Sequence, residues 1–297
     1  MMDFCIVDAF TDKPFGGNPA GVVFLPEGGS FPDDAFMRSL AAELRYSETA
    51  FVRRESENEY SLRYFTVTDE VELCGHATLA AFSVIFGKQD AGASCLAALT
   101  KAGRLAVEKH GDLVFMDMAT PADISVIRDG AALKEIYACA GLEPSQGAEW
   151  PPEVISTGLP DIILPVASRE ALNAMRPDFP MMSALSERMG VTGVHAFALG
   201  KAASSPQEET VAYCRNFAPL YGIDEEAATG TANGALTWYL HKRGLMGGLA
   251  RYVQGEAMGR PSTVYGRLSR QDEGQAGATG GGARVQIGGS CVLVAWG

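Results

Sequence analysis

Apolar and polar positions along the chain follow two periods in turn, one typical of strands and one typical of helices. Strand-like alternation runs through FCIVDAF at residues 4–10, and apolar residues at three- and four-residue spacing follow in DDAFMRSLAAELRY at 33–46. Each half of the chain has this pattern, which predicts strand, strand, helix, strand, strand, helix and a closing hairpin. The predicted hairpins are RLAVEKHGDLVFMDM at 104–118 and ARVQIGGSCVLVAWG at 283–297, and each turns at a glycine-containing pair.

The two halves are also similar to each other in sequence. ELCGHATLAAFSV at 72–84 matches EAATGTANGALTW at 226–238 when Gly75 is aligned with Gly230. In both segments an extended stretch ends at the glycine and a helical pattern begins there. Strands predominate over helices, so the duplication predicts an α+β fold of two pseudo-symmetric halves.

A second pair of segments lies upstream of the first pair. DDAFMRSLAAELRYSETAFV matches PMMSALSERMGVTGVHAFAL, which aligns Ala50 with Ala196 and places Val194 opposite Glu48. An acid is therefore predicted at this place in the first half only, and this asymmetry favours a single catalytic base over a pair of bases.

The boundary between the halves is predicted in the polar segment ATPADIS, which follows Met118 and breaks the strand pattern. We therefore expect an N-terminal half of residues 1–119 and a C-terminal half of residues 120–297, and the last strand can return to the N-terminal half. DEGQAGATGGGA at 272–283 predicts a flexible loop. The crevice between two such halves is the expected ligand site.

Composition narrows the class of protein. The 297 residues are 47% hydrophobic, and no apolar run reaches the ~20 residues of a membrane-spanning helix. The formal net charge of -12 argues against nucleic-acid binding, which needs a basic surface. The six cysteines contain no CxxC, and the start of the chain lacks a basic, apolar signal sequence. A cytoplasmic protein with reduced thiols is expected.

Gly75 and Gly230 suggest an anion-binding function for the two matching turns. The first N–H groups of a helix have no partner within the helix, and the helix dipole adds partial positive charge there. Two such helix starts facing one crevice would bind a carboxylate through main chain alone. Either turn by itself is also compatible with an ordinary helix start.

Cys74 precedes the first of these helices and allows three interpretations. A helix start favours the thiolate and hence acid/base chemistry, but the second half has Thr229 at the matching place, so a two-thiol mechanism lacks one partner. Cys74 and His76 alone are too few ligands for a zinc site. A small, half-buried filler is the interpretation that the residues favour.

Glu48 is the strongest candidate for acid/base chemistry. It stands in SETAFV at the start of an apolar strand, where Ser47 and Thr49 can hold it by hydrogen bonds. Burial of a carboxyl group is costly and raises its pKa toward neutrality, which suits a general acid/base. A helix-capping or edge glutamate is the alternative.

Five motifs together make the chain resemble the PhzF-like family, named for phenazine biosynthesis. They are VDAFTDKPFGGNPAGVVF, SETAFV, ELCGHATLAA, EEAATGTANGAL and VQGEAMGRPS, in the order and spacing of the family. The resemblance implies the diaminopimelate-epimerase-like fold, in which each half is a curved, mostly antiparallel sheet or barrel wrapped around a central helix. It also implies a homodimer without cofactor or metal and a site in the crevice between the halves.

The resemblance implies roles for individual residues. In the phenazine enzyme the glutamate that matches Glu48 moves a proton between carbons of trans-2,3-dihydro-3-hydroxyanthranilate. Substrate-binding positions of the family match a larger set here: Asn18, Ser47, Gly75, His76, Glu226, Gly230 and Thr231. The family often has aspartate at the position of Glu226 and proline at the position of Val67, so this chain departs from the pattern at both places. Cys74 matches one catalytic thiol of the epimerases and is interpreted as an ancestral remnant that lines the pocket.

Three functions remain open from the sequence. The first is a cofactor-independent isomerase of a small carboxylate-bearing molecule, with Glu48 as acid/base. The second is an amino-acid racemase or epimerase that uses Cys74, and the third is a non-catalytic metabolite-binding protein. The substrate does not follow from the residues, because similar folds host different substrates.

Overall fold

The computed structural model describes residues 2–88, 94–200, 210–270 and 283–297. Within these ranges it contains six α-helices and eighteen β-strands, which confirms the α+β class. No helix in the described ranges is long and apolar enough to cross a membrane. Backbone contacts divide the chain into two compact units, Met1–Asp117 with Gly288–Gly297 and Met118–Ile287.

The first unit has two strands and a helix, then three strands and a long helix, then three more strands. Its elements up to the division are β1 (Asp3–Ala9), β2 (Asn18–Phe24), α1 (Asp34–Leu44), β3 (Thr49–Arg54), β4 (Glu59–Phe65), β5 (Glu70–Val71), α2 (Gly75–Lys88), β6 (Cys95–Thr100), β7 (Gly103–His110) and β8 (Leu113–Asp117).

The rest of the chain follows the same order with additional helices. Its elements are β9 (Ala122–Val126), α3 (Gly130–Cys139), β10 (Glu153–Ser156), β11 (Pro160–Pro165), α4 (Arg169–Ala174), α5 (Phe179–Met189), β12 (Gly193–Leu199), β13 (Thr210–Ala218), β14 (Ile223–Glu226), α6 (Gly230–Lys242), β15 (Leu249–Gln254), β16 (Ser262–Arg270), β17 (Ala283–Gly289) and β18 (Cys291–Trp296).

Both long helices begin at the predicted glycines, Gly75 and Gly230, as the sequence pattern indicates. The pattern did not predict β6 and β15, the strands that directly follow these helices, nor the helices α3 and α4. CLAALT in β6 is short and rich in alanine, so it carries no clear period. The predicted loop at 272–283 lies outside the described residues, except that Ala283 begins β17.

The sheet of the first unit curves around helix α2. Its strand order is β8-β7-β6-β4-β3-β2-β1-β18, with β5 paired to the end of β4. Helix α2 contacts β8 and β18, at the two ends of this order, as well as β1, β2 and β3 between them. Ten of the 14 residues of α2 are buried, because sheet surrounds the helix on most of its faces.

The second unit repeats this topology. Its strand order is β9-β10-β11-β12-β13-β15-β16, with β14 paired to β13, and its parallel pairs are β11–β12 and β13–β15. The parallel pairs β2–β3 and β4–β6 occupy the matching places in the first unit. Helix α6 contacts β10, β11 and β16 and corresponds to α2. The repeated topology confirms the pseudo-symmetry.

An arginine–glutamate pair occurs at the same place in both units. Arg63 on β4 donates from Nε to Glu70 Oε1 at 2.8 Å. Arg215 on β13 donates to both carboxylate oxygens of Glu225, at 2.9 and 2.8 Å. Each pair ties a long strand to the short strand that leads into the central helix, and such bidentate pairs fix geometry as well as charge.

Strand register gives the counterpart of Glu48 in the second unit. Thr49 on β3 lies opposite Phe65, and Val194 on β12 lies opposite Phe217. Phe65 lies two residues after Arg63, and Phe217 lies two residues after Arg215. Thr49 and Val194 are therefore equivalent, and the residues that precede them are equivalent as well.

Gly193, and not Val194, thus occupies the place of Glu48 in the second unit. The sequence alignment was wrong by one residue, because an Ala-Phe pair occurs in both strands one position out of register. A Cβ atom at Gly193 would lie 1.9 Å from the backbone oxygen of Phe217. No side chain fits there, so the second unit has no acid on this strand.

The sheet face beneath α6 carries buried polar side chains where the first unit has Ala50 and Tyr64. His195 lies opposite Asn216, and its Nδ1 is 3.0 Å from the Asn216 Oδ1. His195 has no exposed surface, and burial lowers its pKa to about 4, although hydrogen bonds with Asn216 and Asn233 oppose the shift. The imidazole is therefore neutral at physiological pH.

Substitution of Gly193 by alanine tests the close approach of β12 and β13. We expect G193A to lower the free energy of unfolding by about 3 kcal/mol, because the added Cβ would clash with backbone rather than with a side chain that can move. The control is G87A, where a Cβ would meet nothing within 4 Å and where alanine favours the helix by about 0.5–1 kcal/mol. Urea denaturation of both variants measures the difference; equal stability would contradict the described register.

Burial of neutral His195 predicts a loss of stability in acid. The folded-state pKa lies below the unfolded value, so the unfolded state binds more protons between about pH 6.5 and pH 4 and stability falls as the pH falls. We expect the wild type to lose about 2 kcal/mol more than H195Q between pH 7 and pH 4.5. Urea denaturation at several pH values measures this, and parallel profiles for the two proteins would show that His195 is accessible to protons.

Candidate active site

The candidates from the first unit meet at His76. The site is formed by the start of β2, the loop between α1 and β3, and the first turn of α2. Helix α1 ends at Leu44, and its C-cap residue Arg45 has a φ of 59° and turns the chain toward β3. Ser47 and Glu48 follow within three residues, so this turn brings both side chains to the start of the strand.

His76 has three polar neighbours from these elements. Asn18 Nδ2 is 3.2 Å from His76 Nδ1, and Ser47 Oγ is 3.3 Å from His76 Nε2. Glu48 Oε2 lies 3.5 Å from the same Nε2. The structure thus brings Asn18, Ser47 and Glu48 together around one imidazole.

These contacts favour one tautomer of His76. The amide nitrogen of Asn18 donates, so Nδ1 accepts and the proton is on Nε2, which faces Ser47 and Glu48. Burial lowers the pKa of His76, and the nearby Glu48 charge opposes that shift. A neutral imidazole that presents an N–H to Glu48 is the form that results.

Glu48 is mostly buried and incompletely hydrogen-bonded. Its side chain is 14% exposed, and its Oε2 has no hydrogen-bond partner among the described residues. Buried polar atoms in proteins are nearly always hydrogen-bonded, and exceptions concentrate at functional sites. The imidazole Nε2 of His76 lies 3.5 Å from this oxygen.

Cys74 touches the other side of the same imidazole. Its Sγ is 3.4 Å from His76 Nδ1 and 3.8 Å from Nε2, and the residue is 6% exposed. Glu48, Cys74 and His76 offer three metal-ligand atoms within 4.8 Å of one another, and no other such group occurs in the described ranges. Only Cys74 and His76 are close together in the sequence, and Glu48 joins them in space from a separate loop. All three groups can also carry a proton.

The first turn of α2 is held from below by hydroxyl groups. Thr78 donates from its backbone N–H and its hydroxyl to the Cys74 carbonyl, at 3.0 and 2.7 Å. The buried Tyr64 hydroxyl lies 2.6 Å from Thr78 Oγ1. This chain of hydrogen bonds fixes the backbone on which Cys74 and His76 stand.

The candidates from the second unit gather at the start of α6. Thr229, at the position that matches Cys74, donates to Glu226 Oε2 at 2.5 Å. No side chain caps this helix start, since the hydroxyl of Thr229 is directed to Glu226. Gln254 donates to the Glu226 carbonyl at 2.8 Å and to Thr229 Oγ1 at 3.2 Å.

Gly230 and Thr231 form the first turn of this helix. The backbone oxygen of Thr231 accepts a hydrogen bond from Thr157 Oγ1 at 2.8 Å. Thr157 precedes Gly158, which has a φ of 136° and turns the chain into β11. The structure therefore brings Glu226, Gly230 and Thr231 together within the second unit.

Sequence reasoning missed Asp161. This residue stands on β11 among apolar neighbours and is 2% exposed. Burial and the charge of Glu226 raise the pKa of Asp161 to about 8, while a hydrogen bond from the Gly193 backbone lowers it. A single acid inside the apolar run LPDIILPV was the signal in the sequence that could have identified it.

Known proteins that are similar to this chain show the same architecture. A structure of a Bacillus anthracis phenazine biosynthesis protein of the PhzF family superposes with a TM-score of 0.82 at 23% identity, covering 100% of this chain and 98% of the other. A hydroxyproline epimerase from Agrobacterium vitis superposes with a TM-score of 0.62 at 12% identity, covering 100% and 90%. These likenesses confirm the predicted diaminopimelate-epimerase-like fold.

Sequence similarity identifies the family. The uncharacterized isomerase YddE of Escherichia coli K12 is 33% identical over 275 residues, or 90% of each chain. The family model for phenazine biosynthesis-like proteins matches residues 7–297. The relative and the family model together confirm the prediction of a PhzF-like isomerase. The chain belongs to the phenazine biosynthesis-like (PhzC-PhzF) family.

Proposed function

We propose that the protein is a cofactor-independent isomerase of a small carboxylate-bearing molecule, with Glu48 as its acid/base. The observation that carries this proposal is the buried Glu48 Oε2, which lacks a hydrogen bond within the described structure and lies 3.5 Å from His76 Nε2. A carboxylate in this situation is available to accept a proton from a bound molecule.

The reaction would proceed in two proton transfers. Glu48 accepts the proton of a C–H bond next to an unsaturated or carbonyl system, and the electron pair of that bond moves into the conjugated system. The O–H bond of Glu48 then breaks, and a new C–H bond forms at another carbon. The net change in protons is zero, so the step needs neither oxidant nor reductant.

The remaining site residues would bind the substrate and the developing charge. Backbone N–H groups at the starts of α2 and α6 suit a carboxylate, and preorganised N–H donors are most effective at a charge that grows during the reaction. His76 would orient Glu48 through the polar contact of 3.5 Å between Nε2 and Oε2. We assign substrate binding to Asn18, Ser47, Gly75, His76, Glu226, Gly230 and Thr231.

A racemase or epimerase that uses Cys74 is the second candidate. The contact of 3.4 Å between Cys74 Sγ and His76 Nδ1 favours it, because an imidazole can assist the ionisation of a thiol. The matching residue, Thr229, does not ionise near neutral pH, so Glu48 or another group would have to be the partner base. A metabolite-binding protein without catalysis is the third candidate.

Several finer expectations from the family resemblance remain predictions. They are a homodimer, a cytoplasmic location, a role in biosynthesis and the lack of a cofactor. The identity of the substrate depends on side chains that line the pocket, and family membership does not specify it.

Substitution of Glu48 by glutamine tests the acid/base assignment. Candidate carboxylates are incubated with protein in D₂O, and deuterium uptake at carbon is followed by mass spectrometry. We expect E48Q to slow uptake at least about 100-fold, because glutamine keeps the shape but cannot take the proton. E43Q, at an exposed position on α1, serves as the matched control and should exchange at the wild-type rate. Unchanged uptake in E48Q would eliminate Glu48 as the base. Ligand affinity without deuterium uptake in any variant would favour a binding protein.

Substitution of Cys74 by serine separates the isomerase from the racemase. If Glu48 is the base, C74S should retain activity to within about tenfold, since serine preserves a small polar group beside His76. The same deuterium assay and a thiol-reagent inactivation series measure this. An inactive C74S with wild-type stability would favour the thiol mechanism.

A further inference from the structure

The motif VQGEAMGRPS has no role in the proposed reaction, yet it lies directly against the start of α6. Gln254 ends strand β15, and Ser262 begins strand β16 opposite it. Ser262 Oγ donates to the Ala227 carbonyl at 2.7 Å. A Cβ atom at Gly255, which has a φ of 79°, would lie 2.7 Å from the same carbonyl oxygen. The motif therefore packs closely on residues 226–229, the segment that leads into the helix.

The side-chain amide of Gln254 spends its whole hydrogen-bonding capacity near this segment. The residue has no exposed surface. Its Nε2 donates to the Glu226 carbonyl at 2.8 Å and to Thr229 Oγ1 at 3.2 Å. Its Oε1 accepts from the Thr229 backbone N–H at 3.3 Å and from Asn233 Nδ2 at 2.8 Å. A side-chain amide has two donor hydrogens and two acceptor lone pairs, so all four are used.

Backbone partners fix the orientation of the Gln254 amide. The Glu226 carbonyl can only accept and the Thr229 N–H can only donate, so Nε2 and Oε1 cannot exchange places. Because Nε2 donates to Thr229 Oγ1, the hydroxyl hydrogen of Thr229 is directed to Glu226 Oε2, 2.5 Å away. Gln254 thereby sets the direction in which Thr229 holds the Glu226 carboxylate.

Gln254 also binds the backbone at the point where α6 begins. Thr229 is the N-cap residue of this helix, and its own side chain makes no capping hydrogen bond. The Thr229 N–H bonds to Gln254 Oε1, and the Thr229 carbonyl accepts from Asn233 Nδ2 at 2.8 Å. The first N–H groups of a helix, here from Gly230 onward, have no partner within the helix. They are the groups that the proposed function assigns to the substrate carboxylate.

The first unit holds its matching helix start in a different way. Strand register places Thr100 of β6 where the second unit has Gln254 of β15. The Thr100 hydroxyl donates to the Gly103 carbonyl in the turn that follows β6. The start of α2 is held instead by Thr78, which belongs to the helix itself. Support from a neighbouring strand is therefore a feature of the α6 start.

We propose that Gln254 is the positioning residue of the carboxylate site at the start of α6, assisted by Ser262. It holds the main chain before the helix, so that the N–H groups of Gly230 and Thr231 keep the geometry that binds the substrate. The effect on binding rests on the proposed function, whereas the holding of the segment does not depend on catalysis. Without Gln254 the binding geometry would be present in a fraction of the molecules, and the affinity would fall by that fraction.

The first experiment needs no substrate. Amide hydrogen exchange of residues 226–231 is followed by mass spectrometry in the wild type, Q254M and T237V. Methionine is uncharged and similar in length to glutamine but cannot form the four hydrogen bonds. T237V is the matched control, because Thr237 Oγ1 donates to the Asn233 carbonyl and lies 2.8 Å from the Tyr252 hydroxyl, one turn further along α6.

The two variants should differ in where the backbone opens. We expect residues 226–231 to exchange at least about tenfold faster in Q254M, because their hydrogen bonds to the side chain are lost. T237V should exchange at the wild-type rate in this segment. An unchanged rate in Q254M, or an equal increase in T237V, would overturn the proposal.

The second experiment separates KM from kcat for the substrate found by deuterium uptake. We expect Q254M to raise KM about tenfold and to keep kcat within about threefold, because a site formed in about a tenth of the molecules binds that much more weakly but reacts normally once occupied. A substitution that only lowers the amount of folded protein would reduce kcat and leave KM unchanged. T237V should therefore keep the wild-type KM.

S262A makes the test independent of how well Q254M folds. It removes only the hydroxyl group that binds the Ala227 carbonyl, and it should raise KM about threefold, the loss expected for one hydrogen bond. A wild-type KM in both Q254M and S262A would overturn the proposal. A raised KM together with wild-type deuterium uptake in E48Q would instead refute the Glu48 mechanism and leave the role of Gln254 in place.

Discussion

The contact between the Glu48 carboxylate and the buried imidazole of His76 is the interaction on which the candidate site depends. The two groups come from different elements, a loop before β3 and the first turn of α2. Each is poorly solvated, so each would be unfavourable there without the other. Asn18 and the Thr78–Tyr64 hydroxyl pair hold the imidazole and the backbone beneath it. The geometry at the carboxylate is therefore set by groups that do no chemistry themselves, as a preorganised site requires.

Comparison of the two units shows one backbone topology that carries different buried polar groups. Strand order, pairing direction and the arginine–glutamate pair are common to both. Beneath α2, however, the sheet presents Ala50 and Tyr64, whereas beneath α6 it presents His195 and Asn216. The first unit keeps its acid on the strand that begins at Thr49, and the second has its acid one strand away at Asp161. The two units thus share their backbone topology and differ in which strand carries the acid.

The sequence predicted the features that local chemistry determines. Both helix starts at glycine and the duplication follow from motifs of a few residues, whereas the grouping of Asn18, Ser47, Glu48 and His76 is what the family resemblance implies. The register of β12 did not follow, because the Ala-Phe pairs of β3 and β12 favour an alignment that is wrong by one residue. The pairing of β12 with β13 determines it, and a Cβ at Gly193 would collide with the backbone of Phe217. The burial of Asp161 was missed for a related reason, because it depends on strands that are neighbours in the sheet and distant in the chain.

The pairing of β18 with β1 has a consequence for how the molecule is made. The first unit consists of two segments that flank the second in the sequence, and strand β1 gains its neighbour β18 only after Cys291 and the residues beyond it have been synthesised. The second unit is contiguous and can close its sheet earlier. Domains of nascent chains generally fold from the N-terminus onward, but here all residues of the second unit are synthesised before the last residues of the first. Until then, one long edge of the first sheet stays open, which is the state in which a chaperone or an unwanted strand would pair with it.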